Sequence, residues 1–150
     1  MNTTQESKRS TTSQSAKLLY TAKAHTTGGR DGGASRTSDG RLDVKLTTPG
    51  GPGDGTNPEQ LFAVGWSACF LSAIKFVASK MKVRLPADPT IDPEVELCTG
   101  DDGFFLRARL NVALPGLERD VAQSLLDAAD QTCPYSKATR GNIDVEINLV

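Results

Sequence analysis

Residues 57–77 read NPEQLFAVGWSACFLSAIKFV, and this stretch decides the fold because a strong helix start precedes a long apolar run. Asn57 is a good N-cap, Pro58 suits the first helical position, and the next two residues, Glu and Gln, suit the first turn. Between residues 61 and 77 the only charge is Lys75, and apolar residues fall on every side of the helix. The stretch therefore predicts a long central helix that is buried around most of its circumference.

A membrane span is the competing interpretation of the same run. A spanning helix needs about 20 apolar residues. The run from 61 to 77 is shorter than that and contains Gly65, Cys69, Lys75 and two serines. Because its flanks resemble the strands of a soluble protein, we expect a core helix and no membrane partner.

The segments around this helix predict strands, turns and a second helix. Alternating apolar and charged residues are typical of a half-buried strand, and clusters rich in Gly and Pro are typical of turns. An apolar residue every 3.6 positions is typical of an amphipathic helix. We predict strands in residues 17–27 and 41–48, turns in residues 28–40 and 50–58, a β-hairpin formed by residues 94–98 and 104–114, an amphipathic helix over residues 116–133 that ends at Pro134, and a last strand from Ile143 onward. The order ββ-α-ββ-α-β, with hairpins in place of βαβ crossovers, predicts an α+β fold with antiparallel sheets.

Length and composition limit the classes of function. We expect one domain over residues 17–150, preceded by a disordered polar extension at residues 1–16. The 17 basic and 18 acidic residues form no basic block, which argues against a nucleic-acid partner. One histidine and three widely separated cysteines argue against a metal site, and the odd cysteine count favours a reducing, cytoplasmic compartment.

Cys69 in the central helix is either an inert packing residue or a protected nucleophile. A reactive thiol must ionise, and this requires a positive neighbour. The helix N-terminus is roughly 18 Å away, because Cys69 lies about 12 residues into the helix. Arg30, between glycines in GGRDGG, is the candidate cation, although it could equally be an ordinary exposed turn residue. Cys133, at the end of the amphipathic helix, is expected to be partly exposed and mobile, which suits a resolving thiol.

Three blocks of the chain resemble the organic hydroperoxide resistance (Ohr) proteins of the OsmC/Ohr superfamily. They are GGRDG, TNPEQLFAVGWSACF and CPYSKATRGNIDVEINLV, and they occur in the same order as in that family. The resemblance covers the chain from about residue 17 to residue 150. It implies an OsmC/Ohr-like fold in which Cys69 is the peroxidatic cysteine, Cys133 the resolving cysteine, Arg30 the assisting arginine and Glu59 the glutamate that holds it. The third cysteine, Cys98, has no place in the family pattern.

The resemblance also implies a reaction that uses no metal, haem or other cofactor. Cys69 would reduce an alkyl or fatty-acid hydroperoxide and become a sulfenic acid, and Cys133 would condense with it to give a disulfide. A dithiol reductant, a lipoyl group carried on a protein, would reopen that disulfide. We expect the apolar residues Phe62, Trp66 and Phe70 to favour organic hydroperoxides over hydrogen peroxide.

The spacing of Glu59 and Cys69 raises a geometric problem. Ten residues along a continuous helix separate them by about 15 Å. Either the helix breaks, near Gly65, or the Arg30–Glu59 pair serves Cys69 of a second subunit. We predict the second arrangement, an intertwined homodimer with the long apolar helix buried between the chains. Two other functions remain open: a non-catalytic carrier of lipid or another hydrophobic ligand, and a redox sensor that signals through its disulfide.

Overall fold

The computed structural model of the chain describes residues 15–150, so the predicted polar extension lies outside the described residues except for its last two positions. The described elements are β1 (Ala24–Thr27), β2 (Ala34–Thr37), β3 (Asp43–Lys45), α1 (Pro58–Lys80), β4 (Thr90–Gly100), β5 (Gly103–Ala113), α2 (Arg119–Thr132), α3 (Pro134–Thr139) and β6 (Asp144–Leu149). The α+β class is confirmed, with one more strand and one more helix than predicted. The single domain over residues 17–150 stays a prediction.

Helix α1 begins where the sequence predicts. The Asn57 side chain accepts a hydrogen bond from the backbone N–H of Gln60 at 2.9 Å, and Pro58 occupies the first turn. The helix then runs without interruption to Lys80. The alternative of a break near Gly65 is therefore wrong, and a single glycine in this position does not interrupt the helix.

The core lies on one side of α1. Trp66, Phe70 and Ile74 are fully buried there, in one apolar cluster with residues of α2 and β5. Val64 is 67% exposed and Phe76 is 53% exposed on the rest of the helix surface. The helix is long enough, and its most apolar 18 residues have a high enough mean hydropathy of 1.8, to cross a membrane by these two criteria alone. Only 33% of those residues are buried within the chain. One chain thus covers only part of the circumference that was predicted to be buried.

The C-terminal sheet has the order β4-β5-β6. Strands β4 and β5 form the predicted antiparallel hairpin, closed where Gly100 pairs with Gly103. Strand β6 pairs with β5 in parallel through a crossover that contains α2 and α3, so the predicted antiparallel pairing holds for the hairpin and not for the last strand. The physical reason is that α2 and α3 connect the two strands and return the chain to the edge where β5 begins, so β6 runs in the same direction.

The N-terminal sheet, β1-β2-β3, is antiparallel and small. Strand β2 lies in the segment that was predicted to be entirely turns, and residues 17–23 form no strand. Every residue of β1 is exposed, and each of the other two strands has only partly buried residues on one face. A sheet of three short strands needs a packed apolar face to be stable. Within one chain, the described residues do not pack against either face of this sheet closely enough to bury it.

Helix α2 has the predicted amphipathic character, with Ala122, Leu125, Leu126 and Ala129 buried. Cys133 ends this helix and also precedes α3, whose first residue is Pro134. The sequence prediction missed α3 because it took Pro134 as a stop signal. Proline is equally common at the first position of a helix, which is its role here.

Candidate active site

Arg30 and Glu59 form a bidentate ion pair between the N-terminal loop and the first turn of α1. Arg30 Nη2 donates to Glu59 Oε1 at 2.8 Å, and Nη1 donates to Oε2 at 3.1 Å. The glutamate side chain is 12% exposed and the arginine side chain 36% exposed. Two parallel charge-assisted hydrogen bonds of this kind fix the plane of the guanidinium as well as its position.

This ion pair remains charged over a wide pH range. The hydrogen bond from Arg30 lowers the pKa of Glu59, and burial opposes that effect only in part. The same hydrogen bond raises the pKa of Arg30. At neutral pH the pair therefore presents a fixed guanidinium whose charge is largely matched by its carboxylate.

The GGRDGG loop that carries Arg30 folds back on itself. The backbone N–H of Gly33 donates to the carbonyl of Gly29 at 3.1 Å. A Cβ at position 33 would collide with the backbone oxygens of Thr27 and Gly29, so only glycine fits there. This tight turn directs the Arg30 side chain towards Glu59 on α1.

The second pair of predicted residues, Cys69 and Cys133, is also brought together. Cys133 Sγ donates a hydrogen bond to Cys69 Sγ at 3.3 Å. Cys69 is partly exposed, whereas Cys133 is fully buried. The expectation that Cys133 is partly exposed is therefore wrong. The chain turns directly from α2 into α3 at this residue, and the thiol faces the core that both helices share.

The environment of Cys69 within one chain does not favour a thiolate. Burial raises the pKa of the Cys69 thiol, a hydrogen bond from the backbone N–H of Tyr135 lowers it, and the neighbouring Cys133 raises it. None of these groups is a cation. The positive charge that a reactive thiolate requires is thus not supplied to Cys69 by the described part of its own chain.

The two pairs remain separate because α1 is unbroken. Glu59 and Cys69 are about 15 Å apart along its axis at 1.5 Å per residue. The structure therefore places Arg30 with Glu59, and Cys69 with Cys133, but it does not assemble all four residues into one site within a single chain.

A cavity of about 280 Å³ lies beside the ion pair, between α1 and the β4–β5 hairpin. Its apolar lining comes from α1 and from the tip of the hairpin: Pro58, Phe62, Leu97, Phe104, Phe105 and Leu106. Of the three apolar residues predicted to select a substrate, only Phe62 lines this cavity. Trp66 and Phe70 are fully buried in the core, so their assignment to a substrate surface is wrong.

Sequence reasoning missed the hairpin residues of this cavity. The sequence feature that could have identified them is the aromatic pair Phe104–Phe105, which directly follows a turn. Polar residues are usual at such a position. Phe104 is 81% exposed. An exposed aromatic pair at a loop tip is typical of a recognition surface more than of a core. As for metals, the described residues contain no group of three or more His, Cys, Asp or Glu side chains that could hold an ion.

The fold and these residues define a class of protein: two small sheets around one long apolar helix, with a close dithiol and a separate Arg–Glu ion pair. Residues 50–148 match the family model described as OsmC-like protein. An organic hydroperoxide resistance protein from Xanthomonas axonopodis pv. citri is 51% identical over 137 residues, which cover 89% of this chain and 96% of that protein.

Solved structures give the same result. The organic hydroperoxide resistance protein OhrB of Bacillus subtilis matches with a TM-score of 0.83 and 41% identity, over 89% of this chain and 100% of the OhrB chain. An organic hydroperoxide resistance protein from Legionella pneumophila has the same TM-score of 0.83 at 44% identity, over 89% of this chain and 98% of the other. The chain belongs to the OsmC/Ohr family, and the predicted family and fold are confirmed.

Proposed function

We propose that this protein is a thiol-dependent peroxidase that reduces organic hydroperoxides, alkyl or fatty-acid, to alcohols in the response to oxidative stress. The observation that carries the proposal is the pair of sulfurs 3.3 Å apart, one partly exposed and one buried. Such a pair suits a cysteine that meets a peroxide and a second cysteine that resolves the product. Support also comes from the relatives, which are named organic hydroperoxide resistance proteins.

The reaction proceeds in three balanced steps. The Cys69 thiolate attacks the distal peroxide oxygen, an S–O bond forms, the O–O bond breaks, and the alkoxide takes a proton to leave as an alcohol. The Cys133 sulfur then attacks the sulfenic acid of Cys69, and water leaves as the disulfide forms. A dithiol reductant, a lipoyl group on a carrier protein, reduces the disulfide by exchange and becomes a cyclic disulfide itself. No metal or cofactor takes part.

The cation for Cys69 comes from the partner subunit of an intertwined homodimer. Arg30, oriented by Glu59 of its own chain, stabilises the thiolate of Cys69 of the partner subunit and the developing alkoxide. Three observations support this arrangement: the unbroken α1, the absence of a cation beside Cys69 among residues 15–150, and the uncovered apolar surface. That surface includes Leu18, Leu19, Tyr20, Val64 and Phe76.

The chemistry of the cavity sets the substrate class. Arg30 and Glu59 are the charged residues that line an otherwise apolar cleft of about 280 Å³. An alkyl chain would lie against the hairpin tip while the peroxide group approaches the guanidinium. Hydrogen peroxide gains nothing from such a surface, so organic hydroperoxides are preferred. The required dithiol chemistry and a free Cys98 fit a cytoplasmic location.

To test the proposed peroxidase activity, the consumption of cumene hydroperoxide is measured with dihydrolipoamide as the reductant. Intact protein should turn over many times, Cys69→Ser should be inactive, and Cys133→Ser should accumulate a trappable sulfenic acid. Cys98→Ser is the matched control and should retain full activity. Absence of turnover by the intact protein would reject the proposal, and a single turnover without recycling would favour a redox sensor.

The apolar cleft favours one other function, a non-catalytic carrier of lipid or a similar hydrophobic ligand. A carrier would retain its ligand affinity and its cellular effect in Cys69→Ser. Measuring fatty-acid binding in that variant beside peroxidase activity separates the two functions.

A further inference from the structure

A buried hydrogen bond lies one helical turn away from the two sulfurs. Trp66 Nε1 donates to Ser136 Oγ at 3.2 Å, and Trp66 is fully buried while Ser136 is only 2% exposed. Trp66 precedes Cys69 by three residues, and Ser136 follows Cys133 by three residues. Residues three apart in a helix are neighbours on its surface. The hydrogen bond and the sulfur contact at 3.3 Å are therefore two adjacent contacts between the same two segments of chain.

The backbone connects Ser136 firmly to Cys133. The N–H of Lys137 donates to the carbonyl of Cys133 at 3.0 Å, and the N–H of Arg140 donates to the carbonyl of Ser136 at 3.0 Å. Helix α3 has only six residues, so its position depends on its contacts with the rest of the chain. The hydroxyl of Thr139 bonds to carbonyls within α3, whereas the hydroxyl of Ser136 joins α3 to α1.

The indole of Trp66 requires this partner. Its N–H is a donor only, and a buried donor without an acceptor is costly. Among residues 15–150, no buried side-chain nitrogen or oxygen lacks a hydrogen-bond partner. A shift of α3 along α1 would break the bond and leave the indole N–H unpaired in the core. The hydrogen bond therefore fixes the position of α3 on α1, and with it the position of Cys133 Sγ.

We infer that Trp66 and Ser136 are positioning residues for the resolving step: their hydrogen bond holds Cys133 Sγ beside Cys69 Sγ. The inference rests on the proposed peroxidase mechanism. In that step the Cys133 sulfur attacks the sulfenic acid of Cys69, the S–S bond forms, the S–O bond breaks, and hydroxide takes a proton to leave as water. A misplacement of about 1 Å can slow such an intramolecular reaction by roughly a hundredfold.

A second hydroperoxide molecule competes with Cys133 for the sulfenic acid. The sulfenic sulfur attacks this peroxide, a second S–O bond forms, and the O–O bond breaks to release an alcohol. Cys69 then becomes a sulfinic acid, which thiols do not reduce. The ratio of sulfinic acid to disulfide therefore reports how well Cys133 is placed, independently of how fast Cys69 is first oxidised.

The test uses a Cys98→Ser parent and excess cumene hydroperoxide without reductant, and mass spectrometry measures both products of Cys69. Ser136→Ala and Trp66→Phe each remove one partner of the hydrogen bond. Each should raise the ratio of sulfinic acid to disulfide by about tenfold, the effect of a misplacement well below 1 Å. Ser124→Ala removes an exposed hydroxyl that bonds within α2, and this matched control should behave like the parent.

Two further variants separate positioning from packing. Ser136→Thr keeps the hydroxyl, and a cavity of about 240 Å³ beside it leaves room for the added methyl group, so the ratio of the parent should return. Trp66→Phe/Ser136→Ala should be no worse than the single variants, because all three lose the same bond. A lower Tm with an unchanged ratio would overturn the inference. If one single variant does not fold, the other decides.

A second measurement needs no peroxide. Equilibration in a glutathione redox buffer gives the reduction potential of the Cys69–Cys133 disulfide. Loss of positioning should lower the effective concentration of the two thiols by about tenfold, which raises this potential by about 30 mV. A parent that forms the disulfide but consumes no hydroperoxide would reject the peroxidase. The potentials of the Trp66 and Ser136 variants would then decide their role, and unchanged potentials would overturn it.

Discussion

The sulfur of Cys133 lies 3.3 Å from the sulfur of Cys69, and the two differ sharply in exposure. A disulfide bond is about 2.05 Å long, so the sulfurs need to approach each other by little more than 1 Å to form one. Resolution of a sulfenic acid at Cys69 thus requires no large movement of α2 or α3. The fully buried Cys133 is available to its neighbour but not to a bulky molecule in solution.

This difference in exposure predicts which sulfur the reductant attacks. We expect the thiolate of the reductant to attack Cys69 and to release Cys133 as the leaving thiolate, because only Cys69 is reachable. Oxidised Cys98→Ser protein is treated briefly with an aromatic monothiol, quenched with acid and mapped by peptide mass spectrometry. The mixed disulfide should be found on Cys69. An adduct mainly on Cys133 would show that oxidation exposes the buried cysteine.

The composite site predicts complementation between two inactive subunits. In a heterodimer of Arg30→Ala and Cys69→Ser chains, the intact Cys69 faces the intact Arg30 of the other chain. Half of the dimers in an equal, randomised mixture are heterodimers, and each has one working site of two, so about a quarter of the wild-type activity should return.

The control for this prediction is each variant alone, which should have little activity. If Arg30 instead serves Cys69 of its own chain, every chain in the mixture has a defective site. The mixture would then be no more active than the sum of its parents.

Local signals made α1 predictable. The start of the helix depends on Asn57 and Pro58, which influence only the few residues next to them. The helix begins at Pro58 with Asn57 as its N-cap, as predicted. The direction of β6 was not predictable in the same way, because it depends on how α2 and α3 cross the sheet. An apolar pattern on every side of a helix also does not say which side meets the core of its own chain. This is why Trp66 and Phe70 were wrongly assigned to a substrate surface.

The site was predictable in parts. Arg30 and Glu59 are paired, and Cys69 and Cys133 are paired, as the family motifs led us to expect. The burial of Cys133 was missed because it depends on α3, which begins at a proline that also reads as a stop. The hairpin contribution to the cavity was missed because it joins elements about 40 residues apart in sequence, and no local pattern reports such a contact.

Acid should remove the stabilisation that the Arg30–Glu59 pair provides. Since Arg30 lowers the pKa of Glu59, the folded chain keeps the carboxylate charged where the unfolded chain binds a proton. The contribution is therefore present above the ordinary glutamate pKa of about 4.3 and is lost as the pH falls through the lower folded value. Urea unfolding of wild type and Glu59→Gln between pH 3 and pH 7 measures this. The two stabilities should converge at the acid end, and a constant difference would contradict the prediction.

The exposed aromatic tip of the β4–β5 hairpin should decide the preference among hydroperoxides. Phe104 lines the cavity yet is 81% exposed, so Phe104→Ala removes apolar contact surface without opening the core. At about 25 cal/mol per Å², a contact of some 50 Å² is worth roughly 1.3 kcal/mol, or about tenfold in kcat/KM. We expect that loss with linoleic acid hydroperoxide, chiefly as a higher KM, and little change with tert-butyl hydroperoxide, which is too short to reach the tip.

Met81→Ala removes an exposed apolar side chain away from the cavity and serves as the matched control. Equal losses with both substrates would show that Phe104 supports the fold or the dimer and does not contact the alkyl chain.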